Sequence, residues 1–221
     1  MALSLVAAVP GPGGSAVQLA DLGTKLEYLH PALYAGEAAR RAATPNHPAN
    51  AAGTRAYQEH VRLLREEHIR NEGWQRLLHD HLELVYNPAK AIAIGVMIGD
   101  AATGDRRHHP TNLHKRGAAT ARAAKRNNVQ LELFLSSAEP DEAALSDDEA
   151  EALQIWFLVS YRVQVGDSVH IHSELSLPAR VERGFVVEWK HRIPLPVLEM
   201  DGIEPQDEDG PQEIDIPVDF R

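Results

Sequence analysis

KAIAIGVMIGD, residues 90–100, decides the fold: from Ala91 to Ile98 it is almost wholly apolar. A short apolar run of this kind reads as a central strand buried on both faces, although periodicity alone also accommodates a buried helix. LELVYN (82–87), just before it, reads as extended. A loop, DAATGDRRHHPTN, follows it, and then GAATARAAKRNN (117–128), an alanine-rich helix that stops near Asn127. QLELFL (130–135) alternates and predicts a strand. Ser146 with Glu149 three residues on predicts a helix start of the capping-box type. ALQIWFLVSYRVQ (152–164) is strongly apolar, and its pattern does not fix where helix gives way to strand. SVHIHSELSL (168–177) and GFVVEWKHRIPL (184–195) predict an antiparallel pair across PARVERG, and IDIPVDFR near the end predicts a short edge strand.

The first third reads as helical. VQLADLGTKLEYL (17–29) has helical spacing, and RRAATPNHPANAAGT (40–54) is a loop marked by Pro45 and Pro48, with Thr54 as an N-cap. Tyr57, Val61, Leu64 and His68 then form a helical stripe. Gly73 breaks the stretch, and Trp74, Leu77, Leu78 and His81 predict a second helix. Helices first and strands later predict an α+β fold, with N-terminal helices packed on a mixed or antiparallel sheet and a loosely ordered acidic C-terminal tail. The expected division is a flexible 1–16, a single domain over 17–198 with a possible subdivision near 136–151, and the tail 199–221.

The 221-residue chain has no cysteine, which excludes disulfides, thiolate catalysis and Cys-ligated metal centres. The apolar run Ala2–Val9 lacks a basic flank and is broken by Pro10 and Pro12, so it reads poorly as a secretory signal. No stretch approaches the length of a membrane span. The expected home is the cytoplasm, and the Ala- and Arg-rich usage suggests a bacterial or phage genome.

Charge is unevenly placed. The net formal charge is −10, yet residues 105–126 carry seven Lys/Arg and one acid. Residues 139–151 and 199–215 carry seven and eight acids without a base. A positive segment in a negative chain points to an anionic ligand, most simply phosphate, with the acidic segments as possible competitors for it. The expected ligand-binding set is Thr103, Arg106, Arg107, His108, His109, Lys115, Arg116, Arg122 and Arg126. Small residues around Gly99 and Gly104 would let backbone NH groups approach a phosphate, although a turn glycine is the plainer reading. A helix over 113–126 would set Lys115, Arg122 and Arg126 on one face. Nucleic acid is the first ligand expected from this segment and a nucleotide the second. The acidic tail would meet a protein partner, as in a subunit of a larger complex.

Two other groups bear on chemistry. In a strand, His170, His172 and Glu174 share a face and could ligate a divalent metal, the one cofactor the sequence suggests; a polar strand surface is the plainer reading. Phe185-Val186-Val187-Glu188-Trp189-Lys190 resembles the second half of the PD-(D/E)xK nuclease motif. That resemblance implies Glu188 and an upstream acid, Asp167 or Glu174, as metal ligands and Lys190 as the group that positions water. The chain departs from that fold after Lys190, running to Pro194 and Pro196 where a helix and strand are expected. The function expected is thus a phosphate-ligand binding protein, with a metal-dependent nuclease and a protein–protein adaptor as alternatives.

Overall fold

A computed structural model describes residues 12–115, 118–128, 145, 150 and 152–201. Three N-terminal helices pack on a mixed sheet of seven strands. They are α1 (Pro12–Leu22), α2 (Leu26–Arg41) and α3 (Ala51–Glu72); a fourth, α4 (Ala118–Asn128), follows β3. The strands are β1 (Gln75–His79), β2 (Leu82–Asn87), β3 (Ile92–Ile98), β4 (Gln154–Val165), β5 (Ser168–Glu182), β6 (Phe185–Pro194) and β7 (Leu198–Met200). Their order is β1-β2-β3-β4-β5-β6, with β7 also on β5.

The segment 90–100 is the central strand. β3 pairs antiparallel with β2 and parallel with β4, the one parallel pair among the described strands. A parallel neighbour needs a crossover, and α4 lies within it. Side chains alternate along β3 and β4. Ile92, Ile94, Val96, Trp156 and Leu158 join the cluster that includes Leu29, Leu33, Val61 and Leu64 of the helices. Ala93, Met97, Ile155, Phe157 and Val159 join Ala123 of α4, Val186 and Trp189. Burial on both faces explains why the run shows no polar alternation.

The second predicted helix is instead the β1–β2 hairpin. Gly73, at φ 67, ends α3 in the left-handed region. His79 pairs with Leu82, so Asp80 and His81 form a two-residue turn, both at positive φ. Trp74 and Leu77 have helical spacing but bury in opposite clusters, which is strand geometry. The switch inside 152–164 falls at its start, since β4 runs from Gln154. The strand at 130–135, the Ser146 capping box and the IDIPVDFR strand lie outside the described residues.

The α2–α3 pair is antiparallel. Lys25 and Tyr28 bond Glu72 at one end, and Arg55 bonds the Ala42 carbonyl at the other. Two imidazoles are buried in this layer. His68 Nδ1 lies 2.7 Å from the Leu64 carbonyl, which can only accept. Nε2, 2.7 Å from Thr24 Oγ1, is therefore the acceptor of the neutral ring. Burial pulls both His60 and His68 down from 6.5 to about 4, and Arg40 adds to the effect at His60. The unfolded chain then binds more protons between these values. Stability is complete above pH 6.5 and falls as pH drops toward 4, by about 3 kcal/mol per histidine. Urea unfolding at pH 7.5 and pH 5 tests this: the midpoint should fall sharply at pH 5, and equal midpoints would contradict it.

Candidate functional site

The loop between β3 and α4 is built from below. Gly99 leaves β3 and forms a bridge with Asn112, closing residues 100–111 into a compact excursion. Beneath it lies the buried carboxylate of Glu174 on β5. Its Oε1 accepts from Arg192 Nε at 2.9 Å and Ser176 Oγ at 2.6 Å. Its Oε2 accepts from Arg192 Nη2 at 2.5 Å and the Gly104 amide at 2.9 Å. Arg192 also donates to the carbonyls of Asp105 and His108, at 2.9 and 2.6 Å. Trp189 Nε1 donates to the Pro110 carbonyl at 2.7 Å. Asn112 donates to Gly184 and His114 carbonyls and accepts from the Val186 amide.

These bonds hold the loop through its backbone groups and Asn112, and its basic side chains lie outside. Arg106, Arg107, His108, His109, His114 and Lys115 are all exposed, Arg107 by 86%. Asp105 accepts from the Arg107 amide and from His108 Nδ1, contacts that hold its carboxyl down at about 2. This turn holds Arg107 and His108 beside Asp105.

The expected phosphate cradle at 99–105 is not present. Thr103 is buried at 1% exposure, and its Oγ1 lies 2.2 Å from where a Cβ on Gly99 would sit. The amides of Ala102, Thr103, Gly104 and Asp105 are spent on Asp100, Glu174 and Ala102. Gly104, at φ 78, serves the turn. Lys115 precedes α4 rather than riding on it, so the predicted shared face with Arg122 does not form. Arg122 is paired with Asp80 at 2.8 Å, fastening α4 to the β1–β2 turn. Arg116 and the side chain of Arg126 lie outside the described residues.

The metal and nuclease sets are not assembled either. His170, His172 and Glu174 do share a strand face, with Val169, Ile171, Leu175 and Leu177 alternating in the opposite cluster. Glu174, however, has four donors on its two oxygens, which leaves no lone pair directed at a cation. Among the described residues no three His, Asp or Glu side chains are grouped to hold a metal. Glu188 and Lys190 are exposed, and Glu188 is paired with Arg180 at 3.2 Å. Glu174 faces Pro194, six residues along β6 from Glu188. At about 3.3 Å per residue, those acids are ~20 Å apart.

No protein-family model, curated protein or solved structure matches this chain. The site therefore rests on its geometry. Sequence reading missed its foundation, because Glu174 and Arg192 are 18 residues apart and nothing local marks Arg192 as a loop anchor. It also missed Glu37, a buried acid on α2 held by Arg41 and Arg162 at 3.0 Å beside a cavity of about 50 Å³.

Proposed function

We propose that this chain binds a phosphate-bearing polyanion, nucleic acid, through the basic loop 105–115. The observation that carries the reading is the contrast within the loop. Its backbone is fixed by buried charged and amide groups, while its cationic and imidazole side chains point to solvent. Such an arrangement reduces the ordering cost of binding, since the loop is already shaped. Arg106, Arg107 and Lys115 supply fixed charge. His108, His109 and His114 supply donors and flat rings for stacking on bases.

An overall charge of −10 opposes nonspecific coating of DNA and favours a local contact, as in a subunit of a larger cytoplasmic complex. No helix among the described residues is long and apolar enough to cross a membrane.

Fluorescence anisotropy with single- and double-stranded oligonucleotides tests the reading. Arg106→Ala/Arg107→Ala/Lys115→Ala should weaken binding by roughly 100-fold and lower the slope of log affinity on log salt by about 3. These side chains are exposed, so the fold should be unaffected. Wild-type protein that binds no oligonucleotide at low salt would overturn the proposal.

A further inference from the structure

On the helical face, α3 and the edge strand β1 border a groove of about 640 Å³. Val61 and Ile69, the least exposed apolar residues of its lining, give it an apolar floor, and Tyr57 stands beside them with 42% of its surface exposed. The lining includes four arginines and two glutamates. Arg62 and Arg65 are paired with Glu66 and Glu83, at 2.7 and 2.6 Å. Arg70 and Arg76 are exposed and form no ion pair among the described residues. β1 pairs with β2 only, so its other edge carries no described strand. The groove thus combines an apolar floor with positive charge that has no ion-pair partner among the described residues, which calls for an acidic, amphipathic, extended occupant.

The chain itself contains one. Residues 214–220 read Ile-Asp-Ile-Pro-Val-Asp-Phe, with Ile214, Ile216, Val218 and Phe220 alternating with Asp215, Pro217 and Asp219. In an extended chain all four apolar side chains fall on one side. Pro217 disfavours a helix there. The described structure ends at Asp201, and the chain beyond it is long enough to reach the groove. The Asp201 carbonyl accepts from Arg41 at the end of α2, and Arg55, in the second turn of α3, bonds the adjacent Ala42. Asp201 follows β7, which pairs with β5 across the sheet from β1, so residues 202–213, about 40 Å when extended, have to span a sheet width of ~24 Å to bring 214–220 to the groove, which runs from Tyr57 to Arg70 along α3. The groove is ~20 Å long at the helical rise. Seven extended residues span about the same length, and the 20 residues 202–221 reach about 60 Å.

We infer that the C-terminal segment 214–220 docks in the groove between α3 and β1, its apolar side chains on Val61 and Ile69 and its carboxylates beside Arg70 and Arg76. A second copy of the chain would offer the same segment, and a disulfide that links two chains is the outcome that would report it. The docked segment lies on the opposite face of the sheet from the basic loop, so the tail's acids are held away from the loop rather than over it.

The absence of cysteine makes the test direct. Gln58→Cys/Gln212→Cys places one thiol at the groove and one just before the segment. Leu113→Cys/Gln212→Cys places the first in the basic loop instead. Intramolecular disulfide should form about tenfold faster in the groove pair, through the raised local concentration of a docked tail. Arg70→Glu/Arg76→Glu, or 1 M salt, should remove most of that advantage. Equal rates in the two pairs, a faster Leu113 pair, a product linking two chains, or no effect of the charge reversal would each overturn the assignment.

Discussion

Arg192→Ala should destabilise the protein by about 3–5 kcal/mol, because it leaves Glu174 buried without its cation. Glu174 has no exposed surface in the folded protein, so its charge is held by the donors packed around it. For a domain of this size the melting temperature should fall by about 10 °C. The damage should be centred on the loop, since Arg192 also holds the Asp105 and His108 carbonyls. Hydrogen exchange at Gly104 should speed up more than exchange in β3. Arg192→Lys should be intermediate, since a point charge cannot bridge two carboxylate oxygens and two carbonyls at once. Arg192→Leu/Glu174→Leu should recover part of the stability, because removing both charges removes the unpaired one. It should not recover oligonucleotide affinity, because the loop carbonyls remain unheld. A double variant no more stable than Arg192→Ala would contradict this account of the pair.

Gly36→Ala should cost about 2 kcal/mol, although alanine is the better helix former. A Cβ at position 36 would stand 2.0 Å from Cδ2 and Nε2 of His60. His60 is buried between the helices and donates to the Leu33 carbonyl, so the ring has little room to retreat. Overpacking and the lost bond together cost roughly 3 kcal/mol, against about 1 kcal/mol gained in helix propensity, so the clash decides the sign. Gly36→Ala/His60→Ala should be more stable than the sum of the two single variants predicts, since the second substitution removes what the first strikes. Strict additivity in thermal unfolding would show that the ring does not pack on Gly36.

Elements whose neighbours are close in sequence or whose pattern is strong were legible. The run Ala91–Ile98 reads as a doubly buried strand, and is one, although the same pattern accommodates a buried helix; 168–195 reads as an antiparallel pair, and is one. The β1–β2 hairpin was not legible, because its turn is Asp80-His81, without the glycine or asparagine that usually marks two positive-φ residues. The basic loop was visible as charge, but its role as a fixed platform was not. That depends on Glu174, Arg192, Trp189 and Asn112, brought together by β5 and β6 from distant positions. Thr103 shows the same limit from the other side: a hydroxyl that composition offers to a ligand is placed under Gly99 by the turn. Alternation likewise put His170, His172 and Glu174 on one face, but only tertiary structure shows that Glu174 is committed to Arg192.

We propose that the 105–115 loop is where nucleic acid is held. Ultraviolet cross-linking of the full chain to a uridine-rich oligonucleotide, followed by peptide mapping, tests it without any substitution. Adducts should concentrate between Asp105 and Lys115, with the imidazoles of His108, His109 and His114 as the attachment points. Adducts confined to the α3 groove, or none at low salt where binding should be strongest, would contradict it.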